Sequence, residues 1–425
     1  MRVYFKPWLE LSILAATGLS GSLWAQQGLT WQQIQDKFVA ANPALKAAQL
    51  SIDESRAAEI TAYLRPNPDV ALTVDGFQVA PNQSVWRPLS GVLETPNISY
   101  LHERRHKREL RRDSAKQSTA ISESTYLDQK RGLLFNLRAA FVQVLQAKAA
   151  LENARENLAY WDRALGVNRV RLKAGDIAQV DLDRLELQRV QFESDLETGL
   201  VNLRTAKIQL LQLLNDRTPV DQFDVSGTYD FSTELMPLED FRKAAMEARP
   251  DLKAAVQNVE LAKFNYDLAV ANGSTDPTFS LWYSHNPSFS NSFADETIGG
   301  SVSIPLRIFD KNQGEKLRTK LDITRNERLR DAAEAQVFND VDSAYVTILS
   351  AIELLRPYKE KYLKLAADVR DRVSFSYQHG GASLLDYLDS EKSYRDTRLA
   401  YLNLIGSYMT AAAQMNQAVG REVLQ

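Results

Sequence analysis

The stretch Lys173-Ala-Gly-Asp-Ile-Ala-Gln-Val-Asp-Leu-Asp183 decides the fold, because it returns in altered form as His379-Gly-Gly-Ala-Ser-Leu-Leu-Asp-Tyr-Leu-Asp389. Placing Gly175 on Gly380 also puts Asp181 on Asp386, a separation of 205 residues in both cases. Each copy lies between two long segments of helical pattern. A glycine between two such segments marks a helix end and a reversal. Each stretch therefore reads as the tip of an antiparallel helical hairpin, and the chain as a duplicated molecule.

The surroundings of the tips repeat in the same order. Asn42-Pro-Ala-Leu-Lys-Ala-Ala48 returns as Arg249-Pro-Asp-Leu-Lys-Ala-Ala255, with Pro43 on Pro250 at 207 residues. Pro68 and Pro96 match Pro277 and Pro305 at 209, and Phe141 matches Tyr345 at 204. A first structural repeat, 26–215, a mixed polar linker, 216–237, and a second repeat, 238–425, account for the chain. Each repeat reads as helix, β-hairpin and long helix pair. The opening helix is expected over 29–64, with Thr30 and Gln33 as a capping box.

The hairpins follow at about 68–100 and 277–308. Val70, Leu72 and Val74 alternate with Ala71, Thr73 and Asp75. Phe279, Leu281 and Tyr283 alternate with Thr278, Ser280 and Ser284, Trp282 being the exception. Beyond a polar connection, Ile298, Val302, Ile304, Leu306 and Ile308 share one face, with Gly299, Ser301, Ser303 and Arg307 on the other. Such period-two patterns are strands with two unlike faces. Their length is close to the roughly 9–11 residues of a tilted membrane-spanning strand, but four strands cannot close a barrel, which takes about eight. Strand alternation leaves two solutions open: several chains sharing one barrel, or a sheet packed on the helices of a soluble domain. The export signal described next, and the repeats, favour the barrel.

Residues 1–25 read as an export signal, with Arg2 and Lys6 in a basic head, an apolar run at 11–19, and small residues before Gln26. From 103 to 173 there is no proline, and glycine occurs only at 132 and 166. Leu134, Leu137, Phe141, Val144 and Leu151 follow a 3.5-residue repeat that Lys148 interrupts. The counterpart, 313–378, repeats Tyr345, Ile348, Ile352, Leu355 and Tyr362, and Pro357 predicts a kink. A segment of about 65 residues makes a rod of about 100 Å. The expected fold is mostly α, with duplicated long antiparallel coiled-coil helices and a β-hairpin pair.

Cysteine is absent, which removes disulfides, thiolate metal sites, cysteine nucleophiles and a lipidated cysteine from the expectations. The balance of 51 Lys and Arg against 54 Asp and Glu gives no general pull towards nucleic acid. No G-x-S-x-G, P-loop, H-E-x-x-H or dinucleotide fingerprint is present, so neither enzyme activity nor a cofactor is expected. His102 and His106 fall i, i+4 on a predicted helix, a spacing that suits a metal. Six cations from Arg104 to Arg112 surround them and repel a divalent ion, so the expected role is a solvated basic helix start beside a membrane. Asp386 and Asp389 share a helix face. Ser383 and Asp386 have capping-box spacing, which accounts for Asp386 but not for Asp389 or for Asp181 at the other tip. Several copies of the tips around one axis would make a negative ring of these aspartates that selects cations.

The duplicated layout resembles the TolC-like outer-membrane efflux proteins over essentially the whole mature chain. The resemblance rests on the repeated Pro43 and Pro250 phrases, on Gly175-Asp-Ile-Ala-Gln-Val-Asp181, and on Gly380-Gly-Ala-Ser-Leu-Leu-Asp-Tyr-Leu-Asp389. Val302-Ser-Ile-Pro-Leu306 with Phe309-Asp-Lys-Asn-Gln-Gly314 looks closest to the branch that serves heavy-metal pumps of the cobalt–zinc–cadmium type. The resemblance implies a homotrimer in the outer membrane, with a twelve-stranded β-barrel and a periplasmic α-barrel of long helices. It implies an exit duct for metal cations or small toxic compounds, fed by an inner-membrane pump, RND type favoured, through a periplasmic membrane-fusion adaptor. It places aperture carboxylates on Asp386 and Asp389. Adaptor contacts fall on Gly175, Asp176, Ile177 and Ala178, and on Gly380, Gly381, Ala382 and Ser383. Family members often have a basic residue where Ala382 stands, so the salt link that would lock a closed aperture has no side chain here. A duct for type I protein secretion shares the architecture, and a periplasmic coiled-coil scaffold is the reading from another class.

Overall fold

The computed structural model describes residues 28–89, 91–285 and 296–424; the expected export signal and the polar connection 286–295 lie outside them. The first half runs α1 (Trp31–Ala41), α2 (Pro43–Tyr63), β1 (Asp69–Asp75), β2 (Leu93–Leu101), α3 (Lys107–Ala174) and α4 (Gln179–Leu213). The second runs α5 (Leu238–Ala248), α6 (Pro250–Asn272), β3 (Thr278–His285), β4 (Glu296–Ser303), α7 (Gln313–Pro357), α8 (Leu363–Gln378) and α9 (Leu384–Val419).

Two helices stand where one was expected over 29–64. The pyrrolidine ring pushes the residue before it out of the helical region, and Asn42 accordingly takes ψ 120°, its side chain accepting from the Leu45 N–H. Arg249, before Pro250, also has ψ 120°. The repeated phrase is thus a joint between helices. Arg249 has no cap of Asn42's kind and uses its guanidinium instead. Buried, it binds Asp251 at 2.5 Å and Asp340 at 2.7 Å and donates to the Ala418 carbonyl at 3.3 Å. It ties the joint to α7 and to the end of α9.

At 68 residues, α3 is a rod of about 100 Å. Leu137, Phe141, Val144 and Leu151 are buried along it. Lys148, the interruption in their repeat, donates to Asp224 Oδ2 and to the Val225 carbonyl, both at 2.8 Å. Lys207 of α4 meets the same aspartate at 3.2 Å. The segment between the halves is therefore clipped across both helices, with Phe223, Val225 and Phe231 buried. Pro357 ends α7, but the chain stays helical through a π-turn, Tyr358–Tyr362, into α8. One wide turn absorbs the missing proline N–H.

The four strands make one antiparallel sheet in the order β1-β2-β3-β4, so the two hairpins join through β2 and β3. Thr95 and Pro96 have no partner in that central ladder, because proline supplies no N–H. Val70, Ile98 and Leu281 form one cross-strand row, and Tyr283 pairs with Ile298 on the same face. This apolar face is the exposed one: Leu281 is 56% and Ile298 77% accessible. On β2 and β3 the polar face, with Asn97, Ser99, Ser280 and Ser284, is half-buried. On the two central strands the apolar face is thus the open one and the polar face the more covered one, the reverse of a sheet packed on a water-soluble core. Trp282 lies on that polar face against Gly299, where a Cβ would come within 2.5 Å of the indole.

Removing the buried Arg249 leaves Asp251 and Asp340 without their partner. Arg249→Ala is expected to cost about 3–5 kcal/mol, against about 1 kcal/mol for the cap loss in Asn42→Ala. Denaturant unfolding followed by helical circular dichroism measures both.

Candidate functional site

The two tips use one backbone solution. Gly175 and Gly380 close α3 and α8 in the left-handed region, at φ 82° and 77°. Their successors bond back to the helix, Asp176 N–H to the Arg171 carbonyl at 2.9 Å and Gly381 N–H to that of Ser376 at 2.8 Å. A Cβ at either first glycine would meet nothing within 4 Å, so positive φ, not space, demands glycine there. The returns differ. Ser383 caps α9 in a full capping box with Asp386, whereas Ala178 precedes α4 with no side-chain cap.

Both tips share one apolar core. Trp161, Leu182 and Leu185 from the first hairpin meet Tyr377, Leu384 and Tyr387 from the second. Tyr387 stacks on Tyr377 at 4.9 Å and on Trp161 at 6.0 Å between ring centres. Ile177 and Ala382 are half-buried against this core, while Gly175, Asp176, Ala178, Gly380, Gly381 and Ser383 are exposed. Six of the eight expected contact residues are thus open and two are partly covered.

The three expected aperture aspartates have three environments. Asp386 Oδ2 accepts from Ser383 Oγ at 2.7 Å and from Ser383 N–H at 3.1 Å, and these bonds hold its carboxyl below the ordinary range. Asp389 is exposed, and among the described residues its carboxylate has no hydrogen bond or ion pair. Asp181 is half-buried in the first turn of α4, near enough to Tyr377 to push its hydroxyl pKa up, although burial is the larger cause. His102 and His106 do not form a helix pair, because α3 starts at Lys107 and His106 is its left-handed N-cap. Among the described residues no group of three His, Asp or Glu is placed to hold a metal.

Sequence reasoning missed a polar contact between the hairpins. Glu391 on α9 is 8% exposed and accepts from Tyr160 Oη of α3 at 2.8 Å. Burial pushes its carboxyl up to about 7, against the opposing hydrogen bond from Tyr160 and the Arg370 cation. Arg370 lies 4.0 Å from the Tyr394 ring centre and 5.3 Å from that of Tyr160. Arg395 reaches Asp195 at 3.7 Å, and Arg398 reaches Glu156 at 2.5 Å. Glu391 sits in the run Asp389-Ser-Glu-Lys-Ser-Tyr-Arg-Asp396, which reads as a solvated face. Only the position of Tyr387 four residues earlier, one turn along the same face, hinted at burial.

Between the ordinary glutamate value of about 4.3 and about 7, the folded chain holds a proton that the unfolded chain has released. Stability contributed by Glu391 is therefore complete at low pH and falls as pH rises through that window. Glu391→Gln keeps an acceptor for Tyr160 and removes the charge. It is expected to flatten the slope, worth on the order of 2–3 kcal/mol, when denaturant midpoints near pH 5 and pH 8 are compared.

The model of the outer membrane efflux protein family matches residues 36–216 and 242–421. The cobalt-zinc-cadmium resistance protein CzcC of Cupriavidus metallidurans is 22% identical over 411 residues, 92% of this chain and 90% of that one. The outer membrane protein TolC of Vibrio cholerae is 23% identical over 435 residues, 98% and 95% of the two chains. Among solved structures, CusC superposes with a TM-score of 0.76 at 18% identity, covering 92% of each chain. The MtrE channel of Neisseria gonorrhoeae gives 0.72 at 18% identity, covering 99% and 98%. The neighbouring folds are trimeric channels with a helical barrel and a strand barrel. With both of its halves matched, this chain belongs to the outer membrane efflux protein family, whose members are channels and not enzymes.

Proposed function

We propose that three copies of this chain form the exit duct of a tripartite efflux system, carrying cargo from an inner-membrane pump and a periplasmic adaptor to the exterior. Channels of the family are homotrimers that work with such partners. The observation that carries the reading is the sheet. Its apolar face is exposed, its polar face is half-buried on β2 and β3, and β1 and β4 are left as open edges. A sheet so arranged suits lipid outside and water inside once neighbouring chains close the edges. No helix among the described residues is long and apolar enough to cross a membrane. The repeats 26–215 and 238–425 give each protomer four strands and two helical hairpins, with 216–237 as a belt between membrane and tips.

Metal cations are the cargo class we favour. The similarity to a cobalt-zinc-cadmium resistance protein supports it, as do carboxylates exposed near the tips. An RND-type pump fits that cargo. The exposed tip residues, Gly175, Asp176, Ala178, Gly380, Gly381 and Ser383, are the adaptor contacts, and Asp389, Asp386 and Asp181 line the aperture. Because Ser383 occupies one oxygen of Asp386, Asp389 is the freer charge.

Two measurements test the reading. Gly380→Asn keeps the left-handed turn, which asparagine tolerates, and is expected to retain metal efflux in a strain supplied with the cognate pump and adaptor. Gly380→Trp adds bulk at the tip and is expected to abolish efflux while the trimer still assembles in the outer membrane; equal efflux in both variants removes the tip from docking. In single-channel recordings Asp389→Asn is expected to lower cation selectivity more than Asp386→Asn, whose main effect is a cap loss of about 1 kcal/mol. The opposite order would assign the aperture charge to Asp386.

A further inference from the structure

The basic run after β2 is not used by the duct, and the structure gives it a setting. In the antiparallel sheet the start of β1, the end of β2, the start of β3 and the end of β4 lie on one rim, through the pairs Asp69 with Ser99, Leu101 with Thr278, and Thr278 with Ser303. This is the rim from which the helices leave. Arg65 precedes β1, Arg104 and Arg105 follow β2, and Lys311 follows β4. All four are exposed, and among the described residues none of their side chains is in an ion pair.

Most acids of the same rim are committed internally. Glu103 holds Arg111 at 2.5 Å, Asp276 holds the buried Lys107 at 2.5 Å, and Asp310 accepts from the Asn312 N–H at 2.8 Å. Asp69, exposed and in register with Ser99, and the exposed Asp310 leave two negative charges against the four cations. The outward charge of the rim is therefore positive, whereas the opposite rim carries Asp75, Glu94 and Glu296, the last bonded to His285 at 2.7 Å, together with Arg87. Exposed apolar side chains stand among the cations: Leu64, Leu306, Ile308 and Phe309, the last 90% accessible. Arg105 and His106 are consecutive left-handed residues, at φ 61° and 56°. Side-chain-bearing residues rarely adopt that conformation, and here it turns the strand sharply into α3 at the cationic site.

Free cations mixed with exposed apolar groups at the edge of a lipid-facing band are complementary to one chemistry, an anionic headgroup attached to acyl chains. We propose that this rim binds the headgroups of anionic phospholipids in the leaflet on the helix side, through Arg65, Arg104, Arg105 and Lys311. The proposal rests on the channel reading. An open rim with no enclosing pocket favours a headgroup held in place by its own bilayer over a free phosphate.

The test uses the full-length trimer in nanodiscs of phosphatidylethanolamine alone or mixed with a minority of phosphatidylglycerol. Retained lipid is counted by native mass spectrometry. The parent is expected to retain phosphatidylglycerol preferentially. The variant with Arg65, Arg104, Arg105 and Lys311 all changed to Gln is expected to bind it at least about tenfold more weakly, since each basic residue at such a surface contributes about fivefold. A control with Arg155, Arg184, Arg204 and Lys364 changed to Gln removes as much charge elsewhere and is expected to behave as the parent. Added salt is expected to weaken the parent's preference. Equal retention by parent and four-residue variant overturns the proposal, as does binding of glycerol phosphate in detergent as tightly as the lipid. If the Gln variant does not assemble, a variant with the three arginines changed to Lys must keep the preference, and its loss counts against the proposal. Insertion without lipid preference defeats the headgroup inference alone, whereas failure to insert into either bilayer defeats the channel reading with it.

Discussion

Strands β1 and β4 each present a row of backbone N–H and carbonyl groups that nothing else in the described chain pairs. In hydrocarbon no water is available to satisfy them, and each unsatisfied group costs several kcal/mol. Much else in the molecule follows from that constraint. The apolar face of the sheet can remain uncovered only if lipid covers it, and the edges can remain open only if another copy of the chain closes them. The long helices inherit the geometry, because each leaves a strand end through a left-handed residue, His106 before α3 and Asn312 before α7. Closure of those edges by neighbouring copies would therefore also set the arrangement of the rods that leave the sheet.

The duplication keeps the backbone and varies the chemistry. Joints at Asn42 and Arg249 share one ψ, but a side-chain amide caps the first and a buried guanidinium network secures the second. The tips at Gly175 and Gly380 share one φ region, but only the second return has a capping box. Where φ and ψ must be particular values, the repeats agree. Where a hydrogen bond can be supplied in more than one way, they diverge. The second hairpin thus holds its helix start more firmly, while the first depends on packing around Leu182 and Leu185.

Much of this was legible in the residues. The glycine tips, the proline joints and the two-faced strands are local signals, written by the one residue type that tolerates positive φ, the one that lacks an N–H, and a period of two. Pro43 was misread as lying within a helix because the helical pattern continues on both sides of it, although the conformational bias of Asn42 lies in the dipeptide itself. Lys148 looked like a flaw in an apolar repeat, since Asp224 is far away in sequence. Glu391 was invisible for the same reason, as its burial depends on Tyr160, 231 positions away. For the aspartates the capping role of Asp386 was readable from Ser383, whereas the lack of any partner at Asp389 is a fact of three dimensions.

The π-turn at Tyr358–Tyr362 has a geometric consequence of its own. An α-helix advances its side chains by about 100° per residue, and a π-turn accommodates one residue more than an α-turn would. The wide turn therefore resets the angular phase of everything downstream, so that α8 presents a different azimuth from the one α7 would have carried forward. Tyr377, which stacks on Tyr387 at the tip, lies downstream of that reset. The first hairpin has no such element in its 68-residue rod. One strut of each protomer is thus continuous in phase and the other is indexed by a single residue, and the stacking of aromatic rings at the tips depends on that increment being kept.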